Sequence, residues 1–141
     1  MKNYQLKAEK DYPLADKRPE LLKAPTGKKL EEITLEKVLK GQVNPEDVRI
    51  SPETLELQAQ IADADGRVAI SKNFRRAAEL IAVPDDKILE IYNALRPFRS
   101  SKEELLEIAR LLEEDYGAMI NGGFIRKAAE VYEKRKKLRK L

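Results

Sequence analysis

Residues 74–101, FRRAAELIAVPDDKILEIYNALRPFRSS, decide how the rest of the chain is interpreted. A helix-favouring run leads up to Ile81, and Pro84 stops it because proline lacks the N–H that a helix interior needs. The i, i+3, i+4, i+7 spacing of one helix face then recurs at Ile88, Ile91, Tyr92 and Leu95. Pro97 closes this second helix. The stretch therefore predicts two amphipathic helices joined by a short turn.

Capping signals mark the helix starts on both sides of this stretch. Asp85 is placed to cap the second helix, and Ser101 with Glu104 matches a capping box that opens a third. Upstream, Thr34 and Ser51 predict two further starts, because their hydroxyls accept hydrogen bonds from first-turn N–H groups. The segment before the central stretch is therefore predicted to be compact.

Apolar residues at helical spacing supply the candidate core. They are Leu55, Leu57, Ala59, Ile61 and Ala62, then Val68, Ala69, Phe74, Ala78 and Ile81, then Leu105, Leu106, Ile108, Ala109, Leu111, Leu112 and Tyr116, and finally Phe124, Ile125, Ala128, Val131 and Tyr132. Strand-like alternation is absent from the sequence. The predicted class is all-α: a small up-and-down bundle of about three longer helices over residues 33–141, after an irregular N-terminal arm over residues 1–32.

Helix continuity is open at two places. Residues 63–67, DADGR, begin like a calcium loop, but the later oxygen ligands and the final bidentate acid of such a loop are missing. A helix break is the favoured interpretation there. Residues 117–123 contain three glycines, which weaken a helix and would let the last helix fold back through a turn.

The arm itself has two interpretations. It contains three prolines and no sustained periodicity, which predicts extended chain. Its apolar side chains Leu14, Leu21 and Leu22 would anchor it either on a partner or on the helices of this chain. The sequence leaves these two alternatives open.

Composition excludes most kinds of catalytic site. The 141 residues contain no histidine and no cysteine, so an imidazole base, a thiol nucleophile and a thiolate metal site are all unavailable. Acidic residues are placed as caps and on polar helix faces. We therefore assign no catalytic, cofactor-binding or metal-ligating residue to this chain. No apolar run reaches the length of a membrane span, and the N-terminus lacks a signal-peptide centre, so a cytoplasmic protein is expected.

The C-terminal end is basic although the whole chain carries only +3. Residues 126–141 hold eight basic and two acidic side chains, a net charge of +6. The final KRKKLRKL has no aromatic residue to stack a base, which disfavours nucleic acid. We predict a solvated tail that the fold does not need. A free-standing helical module that uses this tail to bind nucleic acid or an acidic partner is the alternative function.

Planar cations and aromatic rings surround the central stretch. These candidates for a partner interface are Arg75, Arg76, Arg96, Phe98 and Arg99. Arginine and aromatic residues are enriched where proteins meet. The alternative is that the arginines form internal ion pairs with acids such as Asp85 and Glu79.

The same stretch resembles the signature of the small subunit of adenosylcobalamin-dependent glycerol and diol dehydratases. The resemblance extends, in order, through DYPLADKRPE (11–20), PTGKKLEEITLEKVLKGQV (25–43), DVRISPETLELQAQIA (47–62) and AEVYEKRKKLRK (129–140). It therefore covers nearly the whole chain.

That resemblance implies a non-catalytic subunit of a lyase complex that converts a 1,2-diol to an aldehyde by radical dehydration. In this family the large subunit is a TIM barrel that holds the substrate, and adenosylcobalamin lies between the large and medium subunits. The small subunit packs on the large one, and two copies of each make the assembly. The implied role of this chain is assembly and stability, with no nucleic-acid or membrane partner.

The resemblance leaves the substrate open between glycerol and propane-1,2-diol. The short arm favours the glycerol type, because some diol-type relatives carry a longer extension associated with bacterial microcompartments. A microcompartment location is accordingly less favoured than the cytoplasm.

Overall fold

The computed structural model describes residues 4–140 and confirms the all-α class. Helices account for 66% of the structure, and the described residues form no strand. The α-helices are α1 (Ala8–Asp11), α2 (Leu14–Lys17), α3 (Leu35–Leu39), α4 (Pro52–Ala64), α5 (Val68–Leu80), α6 (Asp85–Ala94), α7 (Lys102–Tyr116) and α8 (Met119–Lys134), with 3-10 helices at Pro19–Leu21, Leu30–Glu32 and Pro45–Val48. Among these, α4, α5, α7 and α8 have 13 to 16 residues, where about three longer helices were predicted.

The chain divides into two compact units, Met1–Ala78 (unit 1) and Glu79–Leu141 (unit 2). Residues on both sides of the predicted boundary at 32 therefore belong to unit 1. The division into an arm over residues 1–32 and a helical domain over residues 33–141 stays a prediction. Among residues 4–140, no helix combines the length and apolar character needed to cross a bilayer.

Helix α4 has the start, the buried face and the end that its sequence predicts. The Ser51 hydroxyl accepts a hydrogen bond from the Thr54 N–H at 3.1 Å. All five predicted core residues of this helix are buried: Leu55, Leu57, Ala59, Ile61 and Ala62. Gly66 then adopts a left-handed φ of +72°, and the Arg67 N–H reaches back to the Ala62 carbonyl at 2.7 Å. The DADGR segment is a helix stop, so the predicted break is confirmed.

The N-terminal arm packs on its own chain. Leu6 and Leu14 are buried against Leu57 and Ile61 of α4, with Leu21 and Leu22 partly buried beside them. This confirms the self-packing alternative for the three arm leucines. The arm also contains α1 and α2, where extended chain was predicted.

The core predicted for α5 is wrong. Its exposed members are Val68, Ala69 and Ile81, while Phe74 and Ala78 are half-buried. The residue that α5 buries is Ser71, whose hydroxyl accepts a hydrogen bond from Arg75 at 2.7 Å. The buried position of α5 therefore carries a polar contact and was not among the predicted core residues.

Unit 2 is built on α7 and α8, which pack along one another. The buried cluster contains Val83, Ile91, Leu105, Ala109, Leu112, Ala118, Ile125 and Ala129. Gly117, at φ +63°, ends α7 and confirms the predicted turn, but the turn is shorter than predicted because α8 begins at Met119 and continues through Gly122 and Gly123. Gly122 lies inside α8, where an added Cβ would collide with the Glu113 side chain, so glycine permits the close approach of the two helices.

Helix α6 departs from its predicted face. Ile91 is buried and Ile88 and Leu95 are half-buried against the core, but Tyr92 is 69% exposed. One residue turns a helix by about 100°, so Tyr92 lies past the edge of the stripe that its neighbours fill. The predicted cap is also wrong, because Asp85 is the first helical residue, Pro84 holds the N-cap position, and no side chain there accepts a capping hydrogen bond. The predicted capping box of α7 is confirmed by the Ser101–Glu104 hydrogen bonds.

The basic tail keeps Lys137 and Arg139 exposed, as predicted, but its main chain is bonded to the rest of unit 2. Helix α8 ends at Lys134, and the Lys137 N–H donates to the Tyr132 carbonyl at 2.8 Å. Leu138 is partly buried against the core cluster. The other apolar residue of the tail, Leu141, lies outside the described residues.

Candidate partner interface

Arg75 is held inside unit 1 by polar contacts. Its guanidinium donates to both carboxylate oxygens of Glu56, at 3.1 and 3.2 Å, and lies 2.9 Å from a carboxylate oxygen of Asp63. The Glu56 carboxylate, with Asp63 as the second acid, raises the pKa of Arg75 above its ordinary value. This geometry matches the internal-pairing alternative, although the acids are Glu56 and Asp63 in place of Asp85 and Glu79.

Glu79 has a role that the sequence did not indicate. Helix α8 begins at Met119 without a side-chain cap on the preceding Ala118. The Glu79 carboxylate supplies the cap, accepting from the N–H groups of Ile120 and Asn121 at 2.9 Å each. Spacing along the chain gives no signal of this contact, because the two segments are about forty residues apart.

Arg76, the other interface candidate on α5, is half-buried like Arg75.

The remaining three candidates lie together on the loop between α6 and α7. Arg96, Phe98 and Arg99 are all exposed. Phe98 is 49% exposed and adopts a φ of +66°. A left-handed conformation is uncommon for a bulky side chain, because the Cβ crowds the backbone. Within residues 4–140, neither Arg96 nor Arg99 forms an ion pair with a carboxylate.

The basic tail is joined to this loop by main-chain hydrogen bonds. The Phe98 N–H donates to the Lys137 carbonyl at 2.7 Å, and the Arg139 N–H donates to the Ser100 carbonyl at 2.9 Å. The Lys137 ammonium lies 5.0 Å from the centre of the Phe98 ring, within cation–π range. We call the surface formed by Arg96, Phe98, Arg99, Arg135, Lys136, Lys137 and Lys140 the loop–tail patch.

The patch continues into a groove between α6 and α7. The groove has a volume of about 560 Å³. Its lining includes Arg99 and Arg139, the apolar Ile108 and Leu111, and three glutamates that are held in ion pairs, Glu90, Glu104 and Glu107. One Arg139 Nη donates to the Arg99 carbonyl at 3.2 Å and the other to the Glu104 carboxylate at 2.8 Å. Sequence reasoning identified the loop and the tail separately and missed that they form one surface.

Unit 1 presents a different exposed surface. Leu35 and Leu39 on α3 are 74% and 79% exposed, and Val48 after them is 67% exposed. Asp47 supports this region and is itself buried, accepting hydrogen bonds from Thr26 at 2.5 Å and from Lys28 at 2.6 Å. The Lys28 ammonium, with help from the Thr26 hydroxyl, lowers the pKa of Asp47 to about 2.

Comparisons with known proteins agree on one family. A family model described as dehydratase small subunit matches residues 7–139. The propanediol dehydratase small subunit of Salmonella typhimurium is 60% identical over 129 residues, which cover 92% of this chain and 75% of that protein. The propanediol dehydratase small subunit of Citrobacter freundii is 58% identical over the same coverage.

Proposed function

The chain belongs to the dehydratase small subunit family, and from that membership we propose that it is the non-catalytic small subunit of a diol dehydratase lyase complex. The family match over residues 7–139 is the observation that carries this proposal. Membership as a small subunit implies other dehydratase subunits as partners. We extend this to large and medium subunits, with two copies of each of the three chains. The alternative of a free-standing module that binds nucleic acid gains no support from the comparisons.

The proposed role of the chain is assembly and stability. Its acidic groups that are not fully exposed serve structural contacts: Asp47 holds a turn, Glu56 pairs with Arg75, and Glu79 caps α8. The complex would use adenosylcobalamin held by its other subunits, which supplies the radical that starts the dehydration.

Propane-1,2-diol is the substrate we propose for the complex. Both relatives carry propanediol dehydratase in their names, and this outweighs the preference for glycerol that arm length suggested. A cytoplasmic location belongs to the same proposal, since a chain without cysteine has no need of an oxidising compartment.

The proposal is tested by assaying aldehyde formation from propane-1,2-diol in the presence of adenosylcobalamin. The chain alone should form no product, whereas its co-expression with a large and a medium subunit should give an active complex from which it co-purifies. Leaving the small subunit out should lower the yield or the lifetime of that activity. Activity of the isolated chain, or its failure to co-purify, would contradict the proposal.

A further inference from the structure

We propose that the loop–tail patch docks this chain onto an acidic face of another dehydratase subunit, with Phe98 as the central anchor. The inference rests on the proposed function and deepens it by locating the contact on unit 2 and specifying the chemistry of the partner. It separates the three loop candidates from Arg75, which is engaged inside unit 1.

The loop–tail patch is rich in positive charge. Six exposed cationic residues, Arg96, Arg99, Arg135, Lys136, Lys137 and Lys140, lie on the two segments that main-chain hydrogen bonds join. Across residues 4–140, none of these six takes part in an ion pair, while fifteen ion pairs occupy other charged groups. In the described part of unit 2, these six and the neighbouring Lys134 are the cations outside ion pairs, whereas other such cations, for example Lys10, Lys17 and Lys72, belong to unit 1. The complementary surface is one that carries several carboxylates.

The backbone conformation of Phe98 also supports a binding role for the patch. Bulky residues rarely hold a positive φ, and such conformations persist where surrounding contacts maintain them, most often at binding sites. The contacts here are the hydrogen bond to the Lys137 carbonyl and the Lys137 ammonium over the ring. They hold an aromatic ring half-exposed at the middle of the basic surface. A rigid exposed aromatic beside arginines is the composition of interface hot spots.

The tail is fixed beside the loop by its own contacts. Its main chain bonds to residues 98–100, and Leu138 inserts beside the core. These contacts hold the Lys137 ammonium next to the Phe98 ring and keep the main chain of the tail beside the loop. The tail therefore positions the patch as well as contributing charge to it.

The partner surface is specified by this arrangement. It would present carboxylates that pair with the Arg96 and Arg99 guanidiniums, since two parallel hydrogen bonds suit that planar geometry. Between them it would offer an apolar recess for the Phe98 ring. One apolar side chain of the partner would in turn occupy the groove lined by Ile108 and Leu111. A strand of nucleic acid fits less well, because the described part of the patch offers a single ring for stacking.

The experiment is a competition inside the assembled complex. Wild-type and variant small subunits, distinguished by mass, are co-expressed with a large and a medium subunit, and their ratio in the purified complex is compared with their ratio in the soluble lysate. The test variants are Phe98→Gly and the double charge reversal Arg96→Glu with Arg99→Glu. The matched controls are Tyr92→Ala, which removes another exposed ring, and Lys17→Glu with Lys72→Glu, which changes the charge by the same amount at two exposed lysines.

Both test variants should be incorporated about tenfold or more below wild type, the size of effect that interface hot spots show. The controls should stay within about twofold, as expected for residues that contribute little binding energy. Phe98→Gly should not lower the melting temperature of the isolated chain, and should raise it by up to about 3 °C, because glycine adopts the positive φ without strain. This stability measurement separates lost docking from lost folding.

The experiment distinguishes failure of the docking proposal from failure of the proposed function. If wild type is incorporated and the test variants match it, or if the controls lose as much, the patch is not the docking surface while the proposed function stands. If wild type is not incorporated at all, both proposals fall. A gel shift of a DNA duplex at 150 mM salt that Arg96→Glu with Arg99→Glu abolishes would reassign the patch to nucleic acid and overturn the inference.

Discussion

Unit 1 and unit 2 are stabilised in different ways. In unit 2, eight buried apolar residues form one cluster along α7, α8 and the neighbouring segments. In unit 1, the cluster described has four buried residues, Leu6, Leu14, Leu57 and Ile61, and much of the chain before α4 is fastened by caps and by the buried Asp47.

The difference shows where helical periodicity is informative. A stripe repeated over four turns of α7 must be covered by another helix, and it is covered by α8. A short helix such as α3 has no second turn over which a stripe could be recognised, and both of its leucines are exposed. Unit 2 should therefore respond to changes in packing, and unit 1 to changes in its polar contacts.

The largest expected effect is the loss of Leu105, which is fully buried in unit 2. Replacement by alanine leaves a cavity, and we expect the free energy of unfolding to fall by ~2–5 kcal/mol. Urea denaturation followed by circular dichroism measures this. Leu89→Ala on the exposed side of α6 is the control and should change stability by less than ~0.5 kcal/mol. Equal effects at the two sites would mean that the core is not where the structure puts it.

Two adjacent glycines of α8 should respond with opposite signs. A Cβ on Gly122 would lie 2.7 Å from an oxygen of the Glu113 side chain, whereas a Cβ on Gly123 meets open space. Gly122→Ala should destabilise the protein by ~1–3 kcal/mol, the range for overpacking. Gly123→Ala should stabilise it by ~0.5–1 kcal/mol, because alanine is the better helix former. Thermal unfolding of the two variants gives the comparison, and stabilisation by both would exclude close α7–α8 packing at this point.

Removal of residues 136–141 should lower the free energy of unfolding by ~1–3 kcal/mol, because it removes hydrogen bonds and the partly buried side chain of Leu138. The bonds lost include those that join Phe98 to Lys137 and Ser100 to Arg139. Lys140→Ala, a change at an exposed position, provides the control. An unchanged melting temperature after truncation would restore the original prediction of a dispensable tail.

The smallest expected effect is in unit 1, where the stabilising contribution of the Asp47 carboxylate depends on pH. The pKa of Asp47 is about 2 in the folded protein against an ordinary 3.8, so its stabilising contribution is complete above pH 4 and is lost as the pH falls towards 2. Asp47→Asn should therefore lower the melting temperature at pH 6 and make less difference near pH 2. Asp16→Asn, at an exposed carboxylate, is the control. If Asp47→Asn lowers the melting temperature equally at both pH values, the charge of Asp47 does not contribute to stability.

Much of the fold could be predicted because its signals are local. The Ser51 and Ser101 caps, the Gly66 stop and the faces of α4 and α7 all depend on residues within a few turns. The exposed Tyr92 and the polar contact at Ser71 could not be predicted, because periodicity does not show which edge of a stripe a neighbour covers. For the candidate interface, the residue types were visible in the sequence. The pairing of loop and tail, some forty residues apart, was not.

Native mass spectrometry of the co-purified complex tests the central claim most directly. The chain is co-expressed with a large and a medium subunit, and the intact assembly is weighed under non-denaturing conditions. We expect a single species that contains two copies of each of the three chains. A species made of large and medium subunits alone, with this chain left unbound at equal expression, would contradict its assignment as a subunit of the complex.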